Sequence, residues 1–163
     1  PLYASSTDPA PDSKRLYLNA DAAVHAYLGA GVPASRLLIG VPFYGRGWKG
    51  VADANHGLYQ NDGGAASDSK APKGTWSDGA ILYSALEKNY LNSYLRYWQD
   101  EAKEPWLYNP STGIMITYED PQSLGAKADY VVANHLGGIM IWHVSADDEQ
   151  HSLVNAIYSR LHP

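Results

Sequence analysis

The stretch Arg36-Leu37-Leu38-Ile39-Gly40-Val41-Pro42-Phe43-Tyr44, followed directly by Gly45-Arg46-Gly47-Trp48, decides the fold class. Its first part is a short apolar run without polar alternation, the pattern of a strand covered on both faces in a parallel sheet. Upstream, Asn19 is a helix-cap residue, and Ala22-Ala23-Val24-His25-Ala26-Tyr27-Leu28 has helical spacing that stops at Gly29, with Gly31 and Pro33 just beyond. A helix followed closely by such a strand is half of a βαβ unit. A second run of the same kind, Gly138-Ile139-Met140-Ile141-Trp142-His143-Val144, lies between a helix expected from Pro121 to Asn134 and a final helix around Glu149 to Leu161.

The residues between these runs have a different character. Gly45 to Gly50 reads as a loop, and Asn61 to Lys70 as a polar stretch unable to form core. A helix is expected around Ala80 to Asn89. The turn Asn109-Pro110-Ser111-Thr112-Gly113 joins two strand-like runs, Pro105-Trp106-Leu107-Tyr108 and Ile114-Met115-Ile116-Thr117-Tyr118. Together these make a small α+β insertion. The opening stretch to about Lys14, rich in Pro, Ser and Asp, is expected to be a loop or extended lead-in. Parallel strands need neighbours on both sides and helices on both faces, so two of them form an incomplete sheet. The chain is therefore expected to be a piece of a larger unit.

With 163 residues, of which 45% are apolar, the chain is long enough to bury a core. A net charge of −5 leaves no basic field for a nucleic-acid backbone or an anionic membrane. No window supplies the roughly 18 apolar residues of a membrane-spanning helix. Without cysteine, disulfides and thiolate metal sites are excluded. Neither a phosphate-binding Gly-x-x-x-x-Gly-Lys loop nor a Gly-x-Ser-x-Gly elbow occurs, so nucleotide and esterase chemistries have no support. Thirteen Tyr and five Trp against one Phe give aromatic mass with a polar edge. That suits a sugar-binding cleft, and equally an ordinary Tyr-rich core and surface.

Tyr44 and Arg46 stand just past the first apolar run, the position where substrate binds in a β/α barrel. Arg46 offers a planar fork of donors, and Tyr44 and Trp48 offer amphipathic rings. The competing reading is a strand-end turn with a structural ion pair and core aromatics. Trp142 has a similar location at the end of the second buried strand. His143 with Asp147 and Asp148 lacks any metal-ligand spacing, so it reads as a satisfied structural histidine and no metal or cofactor is assigned. Asp147-Asp148-Glu149 most simply caps the last helix.

Taken together, these motifs resemble family 18 glycoside hydrolases. Leu37 to Trp48 is similar to the seventh barrel strand of that family, and Lys73-Gly74-Thr75-Trp76 to part of the α+β insertion between strands seven and eight. Ile116-Thr117-Tyr118-Glu119-Asp120-Pro121-Gln122-Ser123, with Lys127 and Tyr130, resembles the lead into the last barrel helices, and Leu136 to Trp142 resembles strand eight. The resemblance implies the C-terminal part of a TIM (β/α)8 barrel, divided into residues 1–48 (lead-in, helix, strand seven), 49–118 (insertion) and 119–163 (helix, strand eight, final helix).

The resemblance also implies a function: hydrolysis of β-1,4-linked N-acetylglucosamine polymers by a substrate-assisted retaining mechanism, in a secreted protein. Trp142 would form the floor under the sugar, Tyr44 and Arg46 would line the cleft, and Trp76 would stand on its wall. The family's acid is a Glu ending an Asp-x-x-Asp-x-Asp-x-Glu motif, which this sequence does not contain, so no catalytic residue is assigned and the chain alone is expected to be inert. One departure is His143, where the family commonly has Glu or Ser. The implied partners are chitin or chito-oligosaccharides, with the N-terminal barrel half or a second copy covering the strand edges. A carbohydrate-binding protein that has lost its acid, and an independently folding insertion over residues 50–118, are the competing readings.

Overall fold

The computed structural model describes residues 1–66, 74, 76 and 79–162. After a single turn of helix, α1 (Asp12–Arg15), the Asn19 side chain accepts the Ala22 N–H at 2.8 Å and starts α2 (Ala20–Gly29). That capping bond satisfies a donor the helix itself cannot use. The chain then enters β1 (Leu38–Pro42), which pairs in parallel with β7 (Gly138–Trp142), Leu38 opposite Gly138 and Pro42 opposite Trp142.

Between them lies a five-stranded antiparallel sheet in the order β3-β2-β6-β5-β4, built from β2 (Tyr44–Trp48), β3 (Ala80–Leu82), β4 (Leu95–Gln99), β5 (Glu104–Asn109) and β6 (Ile114–Thr117). α3 (Tyr83–Asn89) follows β3 without a break. α4 (Pro121–Ala133) begins in a capping box: the Asp120 carboxylate accepts the Ser123 N–H, and the Ser123 hydroxyl accepts the Asp120 N–H, both at 2.9 Å. α5 (Ser152–Leu161) is capped by Asp148, which accepts the Ser152 N–H, and by Asp147, which accepts those of Leu153 and Val154. The acidic run acts as a cap, as expected. The helix starts three residues later than expected, and Glu149 instead meets Lys88 at 2.7 Å.

One apolar cluster unites the two sheets: Val41 and Phe43 pack with Ile81, Leu107 and Ile116, and with Leu124 and Leu153 from the helices. A smaller cluster of Val51, Trp106, Tyr108 and Met115 sits within residues 50–118. The insertion therefore shares its larger core with the flanking segments, which argues against an independently folding module.

Four expectations need correction. β1 and β7 are not covered on both faces: Ile39 and Val41 are buried, whereas Leu38 is 58% and Met140 47% exposed. The helices cover the face that carries Ile39 and Val41. Second, Tyr44 to Trp48 is a strand and not a loop. Its glycines look like punctuation in the sequence, yet they mark a close approach between neighbours. A methyl group on Gly45 would lie 2.6 Å from the Thr117 carbonyl oxygen and 3.0 Å from the Leu86 and Tyr118 side chains. Third, Ala80 to Leu82 is extended before the helix begins, and β4 is a strand where none was expected. Fourth, Ala66 in the polar stretch is fully buried; residues 67–70 lie outside the described residues.

Gly45 and Gly29 set up opposite outcomes. Gly45→Ala is expected to lower unfolding free energy by about 1–3 kcal/mol through overpacking. Gly29→Ala, at the end of α2 with no atom within 4 Å of the new methyl, is expected to raise it by up to about 1 kcal/mol. Urea denaturation of the two variants measures both.

Candidate functional site

A groove of about 650 Å³ lies where β1 runs into β2, lined by Gly40 and Pro42 of β1, Tyr44 and Arg46 of β2, and Thr117 and Tyr118 at the end of β6. Its volume is within the roughly 300–1,000 Å³ typical of small-molecule sites. The lead-in residues Tyr3, Ser5, Asp8 and Lys14 add a second wall from another segment of the chain.

Strand alternation explains the placement. With Gly45 and Gly47 buried on one face of β2, Tyr44, Arg46 and Trp48 belong to the other. The Arg46 guanidinium stands 5.9 Å from the Tyr44 ring centroid, within cation–π range. Register extends a row across the sheet from Arg46 through Thr117 and Trp106 to Tyr97. Tyr97 stacks on Trp106 at 5.4 Å and on His56 at 4.3 Å, and the Trp106 indole N–H donates to the His56 carbonyl at 2.9 Å. Trp106 reaches the groove lining, so aromatic surface continues beyond Arg46.

The residues singled out in the sequence come together in part. Tyr44 is half-buried and Arg46 exposed, both in the groove. Trp142 lies opposite Pro42, two residues before Tyr44, with 64% of its surface exposed, but outside the groove lining. Trp76 is half exposed and also outside it. Its backbone N–H donates at 2.8 Å to the carbonyl of Ala80, the residue paired with Arg46, which holds Trp76 beside β2. Lys73 and Thr75 of the motif around it lie outside the described residues. His143 shares a 2.8 Å hydrogen bond with the Ser145 hydroxyl, in keeping with a structural histidine. Among the described residues no group of three or more His, Cys, Asp or Glu side chains is placed to hold a metal ion.

The charged cluster at the inner margin of the groove was not singled out as a site. Lys127, 5% exposed, donates to Glu119, equally buried, and to Glu104 at 2.6 Å. Burial alone would lower the Lys127 ammonium. The two carboxylates, Glu119 foremost, outweigh this and hold it above its ordinary value, so it remains charged. Ser123, already bound into the helix cap, donates to Glu119 at 2.6 Å. The only hint in the sequence was Glu119 eight residues before Lys127, a spacing that brings them together only once the strand end and α4 fold back on one another.

Residues 1–147 match the model of glycosyl hydrolases family 18. The chain belongs to that family. It is similar to chitinase A1 of Niallia circulans, 44% identical over 146 residues that make up 88% of this chain and 20% of that protein. Among solved structures it is similar to chitinase ChiA74 from Bacillus thuringiensis, with a TM-score of 0.84 and 35% identity over 98% of this chain and 28% of that one. A class V chitinase from Nicotiana tobaccum, solved in complex with NAG4, shares the fold at a TM-score of 0.79 and 24% identity. The chain spans only a fifth to a third of the first two relatives.

Lys127→Met is expected to destabilise this glycosyl hydrolase segment by about 3–5 kcal/mol, because it leaves the buried Glu119 carboxylate without a counter-charge. Adding Glu119→Leu is expected to recover much of the loss, which chemical denaturation of the single and double variants measures.

Proposed function

We propose that this chain supplies strands seven and eight of a family 18 chitinase barrel together with its α+β insertion, and that the groove binds β-1,4-linked N-acetylglucosamine polymers. The observation that carries the reading is the joining of Tyr44 and Arg46 in one groove at the carboxyl end of β1, beside Trp142. Ligands of β/α barrels bind at that end. An indole at Trp142 suits the apolar face of a pyranose, and the Arg46 fork suits its hydroxyls and acetamido oxygen. Trp76, held beside β2, serves as a wall residue. Leu38, Met140 and the outer edges of β1 and β7 are then covered by the rest of the barrel, or by a second copy of the chain. An extracellular setting accords with a polymeric substrate of this kind.

In this reading the chain binds the glycan and does not cleave it. Substrate-assisted hydrolysis requires an acid that protonates the glycosidic oxygen while the substrate's acetamido carbonyl attacks the anomeric carbon. The carboxylates that line the groove are already engaged: Asp8 accepts the Ala10 N–H at 2.8 Å, and Glu104 and Glu119 hold Lys127. In this reading none of the three is the acid, which belongs to the remainder of the barrel.

Calorimetric titration with chitotetraose tests this. Trp142→Ala and Arg46→Ala are each expected to weaken binding roughly tenfold, equivalent to about 1.4 kcal/mol. The unsubstituted chain is expected to show no turnover of a fluorogenic chito-oligosaccharide. Turnover by the pure chain would place the acid within it and overturn this division of roles.

A further inference from the structure

The second wall of the groove is a loop closed at its base. Residues 3–19 leave the body and return to it at nearly the same point, for the Pro1 carbonyl accepts the Ala20 N–H and the Leu2 carbonyl accepts the Asp21 N–H, both at 3.0 Å. Closed at its base in this way, the segment resembles the compact surface loops that often carry function. It has almost no core of its own. From Tyr3 to Leu18 no apolar side chain is buried, and Tyr17 and Leu18 are each 68% exposed.

What fixes the loop part-way along is a carboxylate on the antiparallel sheet. Glu101, in the turn between β4 and β5, accepts from the Ser6 N–H at 2.6 Å, from the Ser6 hydroxyl at 2.8 Å and from the Ser5 hydroxyl at 3.0 Å. Gln99 completes the clasp: its amide N–H donates to the Ser5 and Thr7 hydroxyls at 2.7 and 3.0 Å, while its carbonyl accepts the Glu101 N–H at 2.8 Å. Bonds to a charged acceptor are the stronger kind, and here several converge on one side chain. Ser5 is thereby held 5% exposed in the groove wall, while Glu101 itself lies outside the lining.

We propose that Glu101 is a positioning residue for glycan binding, which it acts on by clasping Ser5 and Ser6 and so holding the 3–19 loop as the groove's second wall. This rests on the reading of the groove as the glycan site. The proposal assigns Glu101 no contact with the sugar. Its influence passes through the loop, whose residues Tyr3, Asp8 and Lys14 do line the groove.

Hydrogen exchange and chitotetraose titration of the Glu101→Ala and Glu101→Gln chains test it. Glu101→Ala is expected to raise exchange across residues 5–18, leave protection of β5 and α4 unchanged, and weaken chitotetraose binding about tenfold. Glu101→Gln retains an oxygen that can accept the Ser6 N–H and is expected to restore part of both losses. Raised exchange with unchanged affinity would reduce Glu101 to a structural role and overturn the proposal, as would unchanged exchange. Failure of the unsubstituted chain to bind chitotetraose would instead overturn the functional reading beneath it. The exchange arm would still decide whether Glu101 holds the loop.

Discussion

Everything in this molecule turns on Phe43. Its N–H donates to the Trp142 carbonyl at 2.8 Å, continuing the parallel ladder of β1 and β7, and its own carbonyl accepts the Tyr83 N–H at 3.0 Å on the antiparallel side. The side chain between these bonds is fully buried. A single residue between β1 and β2 therefore bonds to both sheets, and the chain passes from one to the other in one step. Because buried backbone groups must be paired, the two ladders cannot slide relative to one another without breaking one of these bonds. Tyr44 and Arg46, the next residues along β2, inherit a fixed position relative to Trp142 from this junction.

Charge provides the second constraint on how the insertion sits. Arg96 on β4 donates to the Asp120 carboxylate through two nitrogens, at 2.9 and 2.6 Å, and to the Gln122 side chain at 2.8 Å. Lys127 on α4 reaches Glu104 on β5. Both links cross from the antiparallel sheet to the helix that packs on β1 and β7. Ion pairs of this kind contribute little net stability once desolvation is counted, but one orientation satisfies them and others leave charge buried. The apolar cluster supplies the cohesion, and the ion pairs select the arrangement.

How much of this was legible follows from which signals are local. The caps at Asn19 and at Asp147-Asp148, the hairpin turn at Asn109 to Gly113 and the two short apolar runs each carry their cause within a few residues, and the sequence reading located them. β2 was missed because the glycines that let it approach Thr117 and Leu86 also mimic a loop, and the partner that makes sense of them is some seventy residues away. β4 was missed for a similar reason: Leu95-Arg96-Tyr97-Trp98-Gln99 acquires its strand character from β5 and from Asp120, neither of them visible in the segment itself. Of the candidate site, Tyr44 and Arg46 were readable from their place after an apolar run. The Lys127 cluster and the Glu101 clasp were not, since each joins side chains whose proximity is a product of the whole fold.

The two walls of the groove differ in kind, and that difference bears on recognition. On one side stands a sheet whose inner face is buried in the main core, so that Arg46, Thr117 and Trp106 are fixed by apolar packing that forms with the fold itself. On the other side is a loop with no buried apolar side chain from Tyr3 to Leu18, secured by the hydrogen bonds of Ser5, Ser6 and Thr7 to Glu101 and Gln99. Local opening draws first on elements with few buried apolar contacts, and the loop has fewer of these than the sheet. On the proposed reading, a glycan in the groove meets an aromatic and cationic face held by the core and a polar wall held by side-chain hydrogen bonds. On that reading any fraction of molecules with the loop open lowers the apparent binding constant without altering a single contact on the sheet.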